Sequence, residues 1–519
     1  MDRHRLISPS DIRFISIVRP FSSFNYIEDN FGGLDALRRL FSLARSSDAT
    51  TLVVETIAAA GMIESENSAL KNAYPDYASG GIVRLSFWTV EIKDTATLSR
   101  MTSNELLGYG ILKQDLVPAL KRRRWHVFEA VFKKYPHVHN CVPRPHTYSL
   151  TIGAGRFKIE GVLYCQQNAL NKACAHVALR SLLTRLLPAG DVSYEEMNTI
   201  AERHKVPGWK PSEGLSVAQI RGILDHFRIG YRDIDYSQSP GLIDTMPYQK
   251  YAYAGIESGT GALVGFDLSG PALSNIGSHI IPFYGHTFNQ DTWAPDADVA
   301  YFQIGANVGY VPSESWTSSF LGHDDNFGPN FCIPRLYIKP GQVKYVVELL
   351  RPNVQFGGAT AEALALDFLY SVIPNISPLK NRWLGRLREW TNRQQIVMRA
   401  QSVIREEYIT HLSALQDWEG NNEKAALCAS LLERLPPVLW MVEISTPQLF
   451  PANERKLGEI ILDAGKSLNG ADGFNPYDVF IHARFPEYYF FGRDIDAEGK
   501  PRFLSIQSAL LSHTSLYRV

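Results

Sequence analysis

The chain has 519 residues, of which 45% are hydrophobic and 20% charged, and a formal net charge of −1. That length suits roughly two to four domains with separate cores. The composition excludes large-scale disorder, and the charge balance excludes a global pull toward nucleic acid or an anionic membrane.

Residues 1–155 read as a mixed α/β region. Leu34, Leu37, Leu40, Phe41 and Ala44 recur at helical spacing, while Thr51–Ile57 and Ile82–Ile92 read as strands. Lys121, Arg122, Arg123 and Arg124, beside Trp125 and His126, read as a solvated helix face rather than a phosphate patch. Pro136, Pro143 and Pro145 mark a loop around His137, His139, Cys141 and His146. A zinc site there would need a convincing fourth ligand, so no metal is assigned.

The informative stretch is 156–335. A polar, turn-like segment with Gln166, Gln167, Asn168 and Asn171 leads to Cys174. After it, Val177, Ala178, Leu179, Leu182, Leu183 and Leu186 form apolar rows that predict a core-facing helix over Cys174–Leu187. Ser193 with Glu196, and Ser216 with Gln219, carry capping-box spacing at the start of two further helices. Ile229–Ile234 and Ala262–Leu268 read as strands, and Ser278–Phe288 is an apolar strand with His279 at its start. Asn289-Gln290-Asp291 reads as a turn, and Thr292–Asp298 as the returning arm. In 336–519, Ala361–Ile373 and Ile396–Trp418 read as helices, and Val438–Ile444 and Val479–Ala483 as strands. That region shows no motif tied to chemistry and is left for substrate or partner binding.

The chain has five cysteines and no CxxC pair, which argues against a disulfide framework and against a Cys-rich zinc site. No stretch reaches the ~18–20 apolar residues of a membrane helix. Met1-Asp2-Arg3-His4-Arg5 does not lead into an apolar signal core. The expectation is a soluble cytoplasmic protein with no membrane partner, where a free thiol is available for work.

A thiol becomes a nucleophile at neutral pH when something lowers its pKa and substrate reaches it, and a helix N-terminus supplies the first condition. Cys174 stands at such a start. Gln167, with Gln166 beside it, and the Cys174 N–H are candidate oxyanion donors. His279 is the candidate base, and Asp296 or Asp291 the acid that orients it from the return arm. Cys165 and His176 read as buried or structural residues. His286, seven residues beyond His279, falls on the opposite strand face.

This order of Gln, Cys at a helix start, a Gly214-Leu215-Ser216 helix entry, strand, His with an apolar strand, and Asp resembles the papain-like fold of bacteriocin-processing peptidases. It is also similar to the phytochelatin-synthase branch of that fold. The resemblance implies an α+β fold with a papain-like central domain at 156–335, its helical half bearing Cys174 and its antiparallel sheet half bearing His279 and Asp296 or Asp291. Regions 1–155 and 336–519 flank it. It further implies cleavage of an amide bond in a peptide or protein substrate through a thioester, with no cofactor. Acyl transfer on the same triad and a non-catalytic scaffold are the alternatives. The sequence departs from the family pattern at Ala175, where glycine is common, and in a Gln167–Cys174 spacing one residue longer than usual.

Overall fold

The computed structural model describes residues 12–118, 122–133, 139–168, 174–188, 190–208, 214–267, 278–288, 308–372, 382–393, 395–414, 433, 435–450, 455–468, 476–485, 488–495, 501–507 and 513–514. The architecture is mixed helix and strand with several antiparallel sheets. Two compact units form: one takes Met1–Arg228, Leu263–Gly285 and Phe320–Ile333, the other Ile229–Ala262, His286–Ser319 and Pro334–Val519. The first unit runs on through the expected boundary at 155, whereas the last crossing between units, at Ile333/Pro334, falls beside the expected boundary at 335. Sheet hydrogen bonds join strands regardless of their distance along the chain, so the units interleave. No helix among the described residues is long and apolar enough to cross a membrane.

In the first unit, strands β1 (Ile12–Ser16), β2 (Thr51–Thr56), β3 (Ala78–Trp88), β4 (Leu106–Val117) and β5 (Arg122–Phe132) form an antiparallel meander in chain order. Alternation sends Leu52 and Val54 to one face and Val53 to the other. Helix α1 (Ser23–Phe31) and the apolar stripe of α2 (Asp35–Ser46), Leu37, Leu40, Phe41 and Ala44, cover the first face. The hairpin of β6 (His146–Ile152) and β7 (Gly155–Gly161) covers the second with Tyr148, Leu150, Phe157 and Ile159. Each such side chain, fully buried, contributes roughly 1.5–3 kcal/mol.

Arg122–Arg124 of the basic run belong to β5, not to a helix, and Lys121 lies outside the described residues: Arg124 is exposed, Trp125 packs edge-on against Phe31, and His126 is buried. β-branched and aromatic residues further along β5 pair with β4, and that tertiary pairing overrides local helix preference. Beneath the sheet, Lys113 places its ammonium 2.8 Å from both Glu66 of α3 (Met62–Ala73) and Asp115.

Beyond β7 the chain runs extended along β5. Tyr164 and Ala130 exchange backbone hydrogen bonds of 2.8 Å. The Gln166 N–H donates to the Val127 carbonyl, and Gln166 Oε1 accepts from the Val127 N–H at 2.8 Å, so a side chain continues the ladder. Helix α4 (Cys174–Leu186) follows, buried from Ala175 to Thr184. Inside it Arg180 forms a two-pronged ion pair with Asp191 at 3.0 and 2.9 Å. Ser193 caps α5 (Tyr194–Arg203), and Ser216 and Gln219 form a full capping box on α6 (Val217–His226). A second sheet contains β8 (Ala262–Asp267), β9 (Ser278–Phe288), β10 (Thr317–Asp324) and β11 (Gly328–Pro334), in the order β11-β10-β9-β8. Asn140–Cys141, within the expected loop, adds a short pairing to β9, while His137 lies outside the described residues.

The second unit corrects the helix expected over Ile396–Trp418. Val397–Ile404 is a strand, and the helix is Arg405–Ala414. The strand sits inside a sheet with both faces covered, Met398 and Ala400 in one apolar cluster and Val403 in another, so its run of apolar residues mimics a helical pattern. Strands Val438–Ser445, Gly458–Asp463 and Phe480–Phe485 continue the sheet, and Arg399, Glu443, Glu459 and Arg484 stand opposite one another in one buried row. Lys456 places its ammonium 3.1 Å from Glu443 and 2.5 Å from Glu459, separating two like charges. The helix expected from Ala361 is Gly358–Asp367, followed by a π turn over Phe368–Val372.

Candidate active site

Cys174 is the first residue of α4, half-buried, at the end of the helix where backbone N–H groups lack intrahelical partners. His279 is the second residue of β9 and is buried. The ring of Phe266 on β8 meets its imidazole edge to face at 5.7 Å. Strand β10 runs antiparallel to β9: Gly322 lies against Pro282, and Asp324 against His279. The last residue of β10 is thereby delivered to the first turn of side chains on β9.

Asp324 Oδ2 lies 3.2 Å from His279 Nε2. Its other oxygen, Oδ1, accepts from the backbone N–H groups of Asn326 and Phe327 at 2.9 and 3.3 Å. This is an Asx turn that locks the carboxylate. Arg39 of α2 braces the same turn by donating to the carbonyls of Pro329 and Asn330. Asp325 turns its Oδ1 toward Nε2 at 3.6 Å and accepts the Gln167 amide on Oδ2 at 2.5 Å. The Asp325 carbonyl accepts from Tyr164 Oη and Gln166 Nε2, each at 3.2 Å.

Electrostatics follow from these contacts. Burial works against a charged imidazole, but the hydrogen bonds it makes with Asp324 and Cys174, with their charges, overcome it and hold the His279 pKa up at about 10. The Cys174 thiol is the further hydrogen-bond partner of the imidazole. Burial raises Asp324 less than the His279 contact and the two backbone N–H groups lower it, so it stays ionised below the usual carboxylate range. Asp325 is pushed up to about 6 by burial; His279 and Gln167 oppose that, and the neighbouring Asp324 charge adds to it.

Of the residues singled out in sequence, the structure thus brings Cys174, His279 and Gln167 to one place. Asp291 and Asp296 lie outside the described residues, and the acid on the imidazole is Asp324. Gln167 reaches the site through Asp325, with one amide N–H engaged there. His176 is buried with Nε2 2.8 Å from Asn198 Oδ1, and burial drops its pKa to about 4. Cys165 is buried, and burial pushes its thiol up to about 11. His286 contacts Glu257 at 2.6 Å within the second unit. The missed acids stand in Gly322-His323-Asp324-Asp325-Asn326-Phe327-Gly328. The readable signal there is Asp followed by Asn and Gly after an apolar strand, which marks an Asx turn and so an acid at a strand end.

Among the described residues, two donor sets are tight enough for a small cation: Glu66, Asp115 and His126, and His279, Asp324 and Asp325, each within 4.8 Å. Lys113 already supplies the cation for the first. A cavity of about 620 Å³ is lined by Lys133, Lys158, Val162, Tyr284 and Asn330. Tyr284 is an odd number of residues from His279 on β9, so this cavity opens on the opposite face of the strand from the thiol. Within its lining, Lys133 donates to the carbonyls of Ser103 and Asn104, and Tyr284 donates to Asn330 Oδ1.

No protein-family model, no curated protein and no solved structure matches this chain.

Proposed function

We propose that this protein is a cysteine peptidase or amidase of papain-like mechanism, with Cys174 as nucleophile, His279 as base and Asp324 as the acid that orients the imidazole. The observation that supports the reading is one imidazole that meets a carboxylate at 3.2 Å on Nε2 and has the thiol of a helix-start cysteine as a further hydrogen-bond partner. A structural histidine has no need of both partners, and together they define the nucleophile, base and orienting group of covalent catalysis.

The chemistry runs in two halves. At rest His279 already holds the proton of Cys174, as an imidazolium that Asp324 stabilises. The thiolate sulfur bonds to the substrate carbonyl carbon. The oxyanion is met by the second N–H of the Gln167 amide and by the Cys174 backbone N–H. His279 gives its proton to the departing amine as the C–N bond breaks, leaving a thioester. Water then attacks that thioester, His279 keeps the water proton, the C–S bond breaks to release the acid, and the sulfur–imidazolium pair is restored. General base catalysis of this kind contributes roughly 10²–10⁴-fold.

The test is covalent labelling. Iodoacetamide or an epoxide probe is expected to modify Cys174 fastest among the cysteines, and Cys174→Ala to remove that fast phase. Persistence of the fast phase in Cys174→Ala would overturn the assignment.

A further inference from the structure

We infer that Asp325 is a positioning residue for the oxyanion donor, fixing the Gln167 amide so that its free N–H faces the oxygen of the carbonyl attacked by Cys174; this rests on the cysteine-nucleophile reading above.

The adjacent acids divide the work. Asp324 holds Nε2 at 3.2 Å, whereas Asp325 lies at 3.6 Å, beyond a good hydrogen bond, and spends its other oxygen on Gln167. A primary amide is planar, with two N–H bonds in fixed directions. Anchoring one N–H on Asp325 Oδ2 therefore fixes the direction of the second. Without that anchor a glutamine side chain turns about several bonds, and an oxyanion donor works only when it is held in place beforehand.

The anchor is itself rigid. The Asp325 carbonyl is held by Tyr164 Oη and by Gln166 Nε2, and both residues belong to the extended segment that pairs with β5 and carries Gln167. Two levels of stitching therefore join the same two chain segments: main chain of 325 to the side chain of Gln166, and side chain of Asp325 to the side chain of Gln167. Replacing the Asp325 side chain leaves the first level intact.

The test compares two reactions of Cys174 in the full-length protein, followed by mass spectrometry. Alkylation by iodoacetamide develops no oxyanion, whereas acylation by p-nitrophenyl acetate does. Asp325→Ala and Gln167→Ala are each expected to slow acylation by roughly 10–100-fold, at or below the usual loss for one oxyanion donor. Alkylation is expected to stay within about twofold, because Asp324 still holds the imidazole. The double variant should be no slower than the slower single variant, since both remove one device. Asp325→Asn keeps an acceptor oxygen for Gln167 and should recover acylation. Should Asp325→Ala fail to fold, Asp325→Ser is too short to reach the amide and carries the same test. Acylation at the wild-type rate in Asp325→Ala or Asp325→Ser, or losses that multiply in the double variant, would overturn the inference alone. Acylation that persists in Cys174→Ala would overturn the cysteine reading and this inference with it.

Discussion

Asp324 Oδ2 and His279 Nε2 lie 3.2 Å apart although the residues are 45 positions apart in the chain. The contact exists because β10 returns antiparallel beside β9, so the end of one strand meets the start of the other. It fixes the direction of the imidazole and favours its charged form.

The first prediction concerns the charge on His279. Burial alone would lower its pKa, and the Asp324 and Cys174 contacts reverse this to about 10. NMR of protein with ¹³C-labelled histidine should show one imidazole still protonated at pH 8. Asp324→Ala should move that titration down by more than one pH unit, below the ordinary histidine value if burial is left unopposed. The sign for stability follows. A folded pKa above the unfolded value of about 6.5 stabilises the fold fully below that value, and the contribution fades as pH rises through about 10. An imidazole that is neutral at pH 7 in the wild type would contradict the ion-pair description.

Asp325 carries the opposite consequence. Its folded pKa is pushed up to about 6, above the ordinary aspartate value of 3.8, chiefly by burial. Below the unfolded value its neutral form costs nothing; between the two values the folded state holds a proton the unfolded chain has released. Above the folded value a buried charge must be carried. Asp325→Asn should therefore raise stability by on the order of 1–3 kcal/mol above pH 6, and the gain should vanish below about pH 4. Denaturant unfolding at pH 4 and pH 7.5 measures this directly, and an equal effect at both pH values would refute it.

Cysteine reactivity should rank by environment. Cys165 is buried, with its thiol raised to about 11, and its sulfur faces the Val177 carbonyl at 3.8 Å. It should resist alkylation in the folded protein at pH 7 and react only after denaturation. Peptide mapping after brief iodoacetamide treatment should find Cys174 modified at least tenfold faster. Early labelling of Cys165 would mean that the packing of α4 against the extended segment is open in solution.

Lys113 tests the interior of the first unit. Burial disfavours its ammonium, but Glu66 and Asp115 outweigh burial and hold it above the ordinary lysine range. Lys113→Met leaves two buried carboxylates facing each other and should destabilise the unit by about 3–5 kcal/mol, as expected for one half of a buried ion pair. Lys93→Met, at an exposed pair with Glu91, should change stability by less than about 0.5 kcal/mol. Urea unfolding followed by tryptophan fluorescence distinguishes the two, and equal effects would show that the interior cluster is solvated.

Local features were legible in the residues. The apolar rows after Cys174 place the start of α4, Ser193 and Ser216 mark the next two helix starts, and the apolar run after His279 marks β9. Each of these depends on residues within a turn or two of one another, where side-chain periodicity and capping chemistry act. The run at Val397–Ile404 was misleading because a strand buried on both faces loses the alternation that distinguishes it from a helix.

From sequence alone came a thiol at a helix start, an imidazole at a strand start and a glutamine upstream of the thiol. Only the tertiary structure decided which acid meets the imidazole, where the Gln167 amide is anchored, and how the chain divides into interleaved units. The physical reason is range. Helix and strand signals arise between near neighbours, but the partner of His279 is set by which strand pairs with β9, and strand pairing is a property of the whole sheet rather than of either segment.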